Sequence, residues 1–93
     1  MRSYEAVCIF HSEEDAFKRG VELIKTELNN LDASVINERD IGQRILAYPV
    51  RKKDRGHFYL FEVEMENEKA HSLEEVLKHK EDVLKFMLVK KDA

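Results

Sequence analysis

The sequence predicts an α+β sandwich: one four-stranded antiparallel sheet with two helices on one of its faces, in the order strand, helix, strand, strand, helix, strand. Three observations carry this. Apolar residues recur with period two in some runs and with helical spacing in two others, and the two kinds alternate along the chain in that order. The third strand run, His57 to Met65, carries apolar residues on both of its faces. The chain has 93 residues with no long polar or Gly/Pro-rich tract, so residues 1–93 form a single domain with one core.

In the first strand, Tyr4, Ala6, Cys8 and Phe10 alternate with Ser3, Glu5, Val7 and Ile9. Ser12 followed by Glu13, Glu14 and Asp15 reads as an N-cap with carboxylates in the first turn, where the helix dipole favours them. Phe17, Val21, Ile24, Leu28 and Leu31 then form one apolar stripe, with Asn29 and Asn30 as stop signals. The second strand, Val35 to Tyr48, is long and irregular; Gly42 inside it marks a bulge or a close backbone approach. Pro49 cannot donate to a ladder, which places this strand at an edge. The segment RKKDRG turns the chain, and its Asp54, Arg55, Gly56 ending suits a hairpin loop longer than two residues. His57 to Met65 is the third strand. Asn67 caps a second helix whose inner face carries Ala70, Leu73, Val76 and Leu77; the competing capping box, Ser72 with Glu75, would exclude Ala70 from that stripe. Val83 to Val89 is the fourth strand, ending in Lys90 and Lys91. This is the split βαβ, or ferredoxin-like, arrangement.

Two helices cover only one sheet face, yet the strands are apolar on both. Tyr59, Phe61, Val63 and Met65 share the helix side of the third strand, while Phe58 and Leu60 point the other way. Val7 and Ile9 join them from the first strand, and Met87 and Val89 from the fourth. Such a patch on a small polar domain is expected to meet a partner, or to be shielded by long side chains around it.

Formal net charge is -3, yet the distribution is uneven. Between Arg39 and Arg55 lie Arg39, Arg44, Arg51, Lys52, Lys53 and Arg55 against only Asp40 and Asp54, whereas the segments Glu13 to Glu27 and Glu62 to Asp82 hold most of the carboxylates. Screening over about 8 Å at physiological salt lets a local basic surface attract phosphate on an acidic domain. A solvated charged hairpin explains the same residues, and Tyr4 and Tyr48 read either as base-stacking platforms or as strand aromatics with wet hydroxyls.

Other function classes find little support. The start MRSYEAVCIF is strand-like rather than a signal segment, and no apolar run approaches membrane-spanning length, so the chain reads as intracellular with no membrane partner. The one cysteine, Cys8, is expected to be a buried thiol facing the helices. His11, His57, His71 and His79 share no metal-ligand spacing and read as exposed or strand-end residues. No nucleophile or phosphate-loop motif and no catalytic carboxylate pair is visible, so no catalytic residue, metal, cofactor or small-molecule substrate is expected.

MRSYE at the start, GQRILAYPVRK, the Gly56 hairpin, FEVEM and FMLVKK together resemble the bacterial ribosomal protein six family of the small subunit, in order and through essentially the whole chain. Gly42, Arg44, Leu46, Ala47, Tyr48 and Pro49 are the most specific part of the match; Ile45 stands where the family usually has a polar or charged residue, and Val50 replaces its usual isoleucine. The resemblance implies a structural constituent of the cytoplasmic ribosome that binds the central domain of 16S rRNA together with a basic partner, ribosomal protein eighteen. Within it, Arg2, Arg44, Arg51, Lys52, Lys53, Lys90 and Lys91 are the expected phosphate contacts, with Tyr48 stacking on a base. Val7, Ile9, Phe58, Leu60, Met87 and Val89 are the expected protein interface. The alternative is a regulatory or ligand-binding module that homodimerises through its open sheet, which explains the apolar face but not the basic hairpin.

Overall fold

In the computed structural model, which describes residues 2–91, the elements follow the predicted order. They are β1 (Arg2–Phe10), α1 (Glu14–Asn30), β2 (Ser34–Val50), β3 (Lys53–Met65), α2 (Asn67–Leu77) and β4 (Val83–Lys91). All sheet pairs are antiparallel, in the spatial order β2-β3-β1-β4. The strand holding Pro49 is therefore an edge, as its missing donor requires.

Register sorts the side chains onto two faces. Ala6 lies opposite Phe61 and Leu88, and Cys8 opposite Tyr59 and Phe86, so the helix side is a continuous apolar layer. Phe10, Phe61, Val63 and Met65 from the strands meet Ile24 and Leu28 of α1 and Ala70, Leu73 and Leu77 of α2 in one buried cluster. Each such large side chain contributes about 1.5–3 kcal/mol on leaving water. Cys8 is buried among them, and burial pushes its thiol up to about 12. On the opposite face, Val7 lies opposite Leu60 and Met87.

Several local details differ from expectation. The cap residue of α1 is Glu13 rather than Ser12; its carbonyl accepts from the Phe17 N–H at 2.8 Å, and no side chain caps the first turn. Asn29 and Asn30 remain helical. The stop comes from Asp32, in the left-handed region at φ 56, where Ala33 N–H donates to Leu28 O and Asp32 N–H to Asn29 O. Leu31 thus packs on the core from the cap, not from the stripe. Helix α2 begins at Asn67 as preferred, but Glu66 occupies the cap position. The Asn67 side chain accepts instead from the Tyr4 hydroxyl at 2.9 Å, tying α2 to β1. Val76, expected on the inner face, is 39% exposed because Leu73 and Leu77 already fill the seat against the sheet.

The hairpin between β2 and β3 is also tighter than predicted. Val50 pairs with Lys53, and the two residues between them, Arg51 and Lys52, have φ of 50 and 66. That is a two-residue turn of the type I′ kind, whose twist matches the strands it joins. Asp54, Arg55 and Gly56 are strand residues. The irregularity sits in β2 instead: Ile45 pairs with Arg55 and the next pair is Val50 with Lys53, so Leu46 to Pro49 bulge outward against Asp54 alone. A second bulge falls between Asp40 and Gly42, where Gly42 takes φ 102.

Candidate nucleic-acid interface

The arm formed by the ends of β2 and β3 projects from a fixed base. His57, predicted as exposed or strand-end, lies largely covered: its ring stacks on Phe17 of α1 at 3.7 Å between centroids, and Nε2 lies 2.6 Å from Asp40 Oδ1 of β2. The Tyr59 hydroxyl donates to Glu38 at 2.8 Å, and Lys25 of α1 pairs with the same carboxylate at 3.3 Å. Burial first, then the bond to Glu38 and the charges of Glu38 and Asp40, push Tyr59 up to about 12. These contacts pin β2 to α1 just below the Gly42 bulge.

Above the bulge, the arm stays close to β1 at Gly56. A Cβ on Gly56 would stand 2.5 Å from Ile9 Cγ2 and 3.6 Å from Leu46 Cδ2, so the bare backbone of Gly56 lets β1 and the arm close together. Bulging at Leu46 to Pro49 turns Tyr48 outward, leaving it 82% exposed, while Ile45 is 76% exposed. An exposed aromatic beside arginines and lysines is the composition of a stacking platform for an unpaired base.

The expected phosphate contacts fall into separate groups. Arg44 donates to the Gln43 carbonyl at 2.9 Å, which holds its guanidinium along the arm. Lys52, at the turn, is exposed and has no ion-pair partner among the described residues. Arg51 is turned the other way: its guanidinium donates to the carbonyls of Lys80 at 3.3 Å and Lys78 at 3.5 Å, just past α2, where the helix dipole favours a cation. Lys53 lies 3.5 Å from Glu13, whose exposed carboxyl is held below its ordinary value first by the hydrogen bond to its own backbone and then by the Lys53 charge. Arg51 and Lys53 therefore moor the tip to the body. Arg51 also brings Lys78 and Lys80 alongside the turn, a pairing across the fold that one-dimensional charge counting could not reveal.

Arg2, Lys90 and Lys91 are elsewhere. Arg2 pairs with Met65 and Lys91 with Ser3, at the opposite end of the sheet from the arm, and Lys91 lies 3.4 Å from Glu62. The nine residues of β1 separate the two groups, on the order of 30 Å at about 3.3 Å per residue. The structure thus places the expected phosphate contacts at two ends of the sheet.

Among the expected protein-interface residues, Val7, Phe58 and Leu60 are half-buried on the open face, and Met87 and Val89 are 43% and 52% exposed. Ile9 is the exception. It points to that face but is buried, with the bare backbone of Gly56 packed against its side chain. Sequence parity placed it on that face and could not foresee the close approach of Gly56.

Residues 3–90 match the family described as Ribosomal protein S6. The chain belongs to the ribosomal protein S6 family. It is 37% identical over 93 residues to the small ribosomal subunit protein bS6 of Treponema pallidum, covering all of both chains. Similarity to the protein of the same name from Borrelia turicatae is 36% over 91 residues, or 98% of this chain and 68% of that one. In fold it is similar to the crystal structure of 30S ribosomal protein S6 from Thermotoga maritima, with a TM-score of 0.86 at 17% identity over 97% of this chain and 87% of that one. The C-terminal domain of the MgtC protein from Mycobacterium tuberculosis shares the fold at a TM-score of 0.65 and 13% identity, so the fold itself selects no function. Membership does: the chain is a small-subunit ribosomal protein of the S6 type, a constituent of the cytoplasmic ribosome and not an enzyme. No helix among the described residues is long and apolar enough to cross a membrane.

Proposed function

We propose that the protein binds the central domain of 16S rRNA through its β2–β3 arm while its open sheet face engages ribosomal protein eighteen. The observation that carries this reading is the arm itself: outward-turned Tyr48, 82% exposed, between Arg44 and the free-standing Lys52 on a member of the S6 family. Lys52 and Arg44 contact phosphate, Tyr48 stacks on an unpaired base, and Arg51 and Lys53 hold the tip in place from beneath. Arg2, Lys90 and Lys91 lie outside this surface. Val7, Phe58, Leu60, Met87 and Val89 form the protein contact, whose basic partner adds phosphate attraction that a chain of net charge -3 lacks.

The test is a mobility-shift titration of a central-domain transcript with this protein and purified protein eighteen across a range of salt. With Lys52→Glu, affinity is expected to fall several-fold and the log–log salt slope to flatten by about 0.7–0.9 per lost phosphate contact. Tyr48→Ala is expected to weaken binding with the slope unchanged. Unaltered binding by both variants would remove the arm from the RNA site.

A further inference from the structure

The two edges of the sheet are built differently. Edge strand β2 carries Pro49, the Gly42 bulge, three register shifts and the charged run Glu38, Arg39, Asp40, all of which keep an edge from accepting another strand. Strand β4, on the other edge, reads VLKFMLVKK: no proline, no glycine and no carboxylate. It pairs with β1 without interruption from Lys91 opposite Ser3 to Lys85 opposite Ile9, its one irregularity falling after Ile9. Phe86 and Leu88 are half-buried, and Met87 and Val89 are exposed at 43% and 52%. The outer side of this β-prone strand presents backbone N–H and C=O groups with no partner strand among the described residues.

We propose that β4 is a strand-docking edge that takes an extended segment of another protein, apolar in its centre and acidic at its ends, as a fifth strand of the sheet. Charge selects that occupant. The strand carries Lys85, Lys90 and Lys91 against no carboxylate, and among the described residues only Lys91 has an ion-pair partner, Glu62 at 3.4 Å. A second copy offers no carboxylate to these lysines in any register, and antiparallel self-pairing centred on Leu88 also sets the Lys85 of each copy opposite the Lys91 of the other, where like charges destabilise a pair. RNA would use the lysines but leave the backbone row and the Phe86-to-Val89 centre unsatisfied. An acidic strand satisfies all three features, and it extends the open face beyond Met87 and Val89. This inference is independent of the arm's role in RNA binding.

The test uses the full chain, isotope-labelled for amide exchange, with two fluorescent nine-residue peptides sharing an alternating valine and threonine core. One is flanked by glutamates, the other by lysines. The acid-flanked peptide is expected to bind at least tenfold tighter and to slow exchange of the outward-facing β4 amides while leaving those of β2 unchanged. A Lys85→Glu, Lys90→Glu variant, altered only at exposed positions, is expected to reverse the preference. Equal binding of both peptides, a footprint on β2, displacement of the peptide from β4 by a short uridine oligonucleotide, or a β4 edge already protected by self-association would each overturn the proposal.

Discussion

The two faces of the sheet are made from alternate residues of the same strands, yet they serve opposite ends. On the helix side Phe61, Cys8 and Ala6 are fully buried, so every atom there contributes to holding the domain together. One residue along each strand, Leu60, Val7 and Met87 form a row that the helices never reach. That face retains apolar surface at the cost of solubility, and the difference teaches where stability ends and association begins. If the division holds, substitutions on one face change unfolding and substitutions on the other change binding.

The largest effect belongs to the core. Phe61→Ala removes a fully buried ring at the centre of the sheet and is expected to cost about 3–5 kcal/mol, read as a lower urea midpoint. Next is the contact between the arm and β1. Gly56→Ala drives a Cβ to within 2.5 Å of Ile9 Cγ2, and overpacking of this kind costs about 1–3 kcal/mol. Its amide-exchange signature should concentrate on the arm, since the clash lies between arm and β1.

A smaller, pH-dependent effect comes from the buried side alone. Cys8 and Tyr59 are both raised to about 12, Cys8 by burial and Tyr59 by burial first and then by Glu38 and Asp40. Above pH 9 the unfolded chain loses protons that the native state keeps, so the unfolded state binds fewer protons and stability falls with rising pH. The contribution is intact below the unfolded values and is lost as pH rises toward 12. Urea unfolding from pH 8 to 11 should show this decline, flattened in Cys8→Ala. At neutral pH the native thiol should resist a thiol reagent until the domain unfolds.

The sequence made the faces legible because period two is a local property: Tyr4 to Phe10 and Tyr59 to Met65 could be sorted by counting. The fold class followed from the same counting. What counting missed lies in contacts between distant residues. The backbone of Gly56 packs against the buried Ile9, the exposed Arg51 is tied down by carbonyls beyond α2, and Asn67 is drawn from capping by Tyr4. The tight turn was hidden for another reason. Arg51 and Lys52 adopt positive φ without glycine, so no residue type announced it. Likewise, Arg2, Lys90 and Lys91 were expected to touch phosphate together with the arm, and only sheet order shows that they lie at the other end of the sheet.

The most direct test of this division is a paired measurement on the Met87→Asp, Val89→Asp variant: its urea-unfolding free energy and its affinity for ribosomal protein eighteen. Both side chains are exposed, so stability should stay within about 1 kcal/mol of the wild type while affinity falls at least tenfold. A variant that unfolds readily, or one that binds its partner as well as the wild type, would contradict the separation of the two faces.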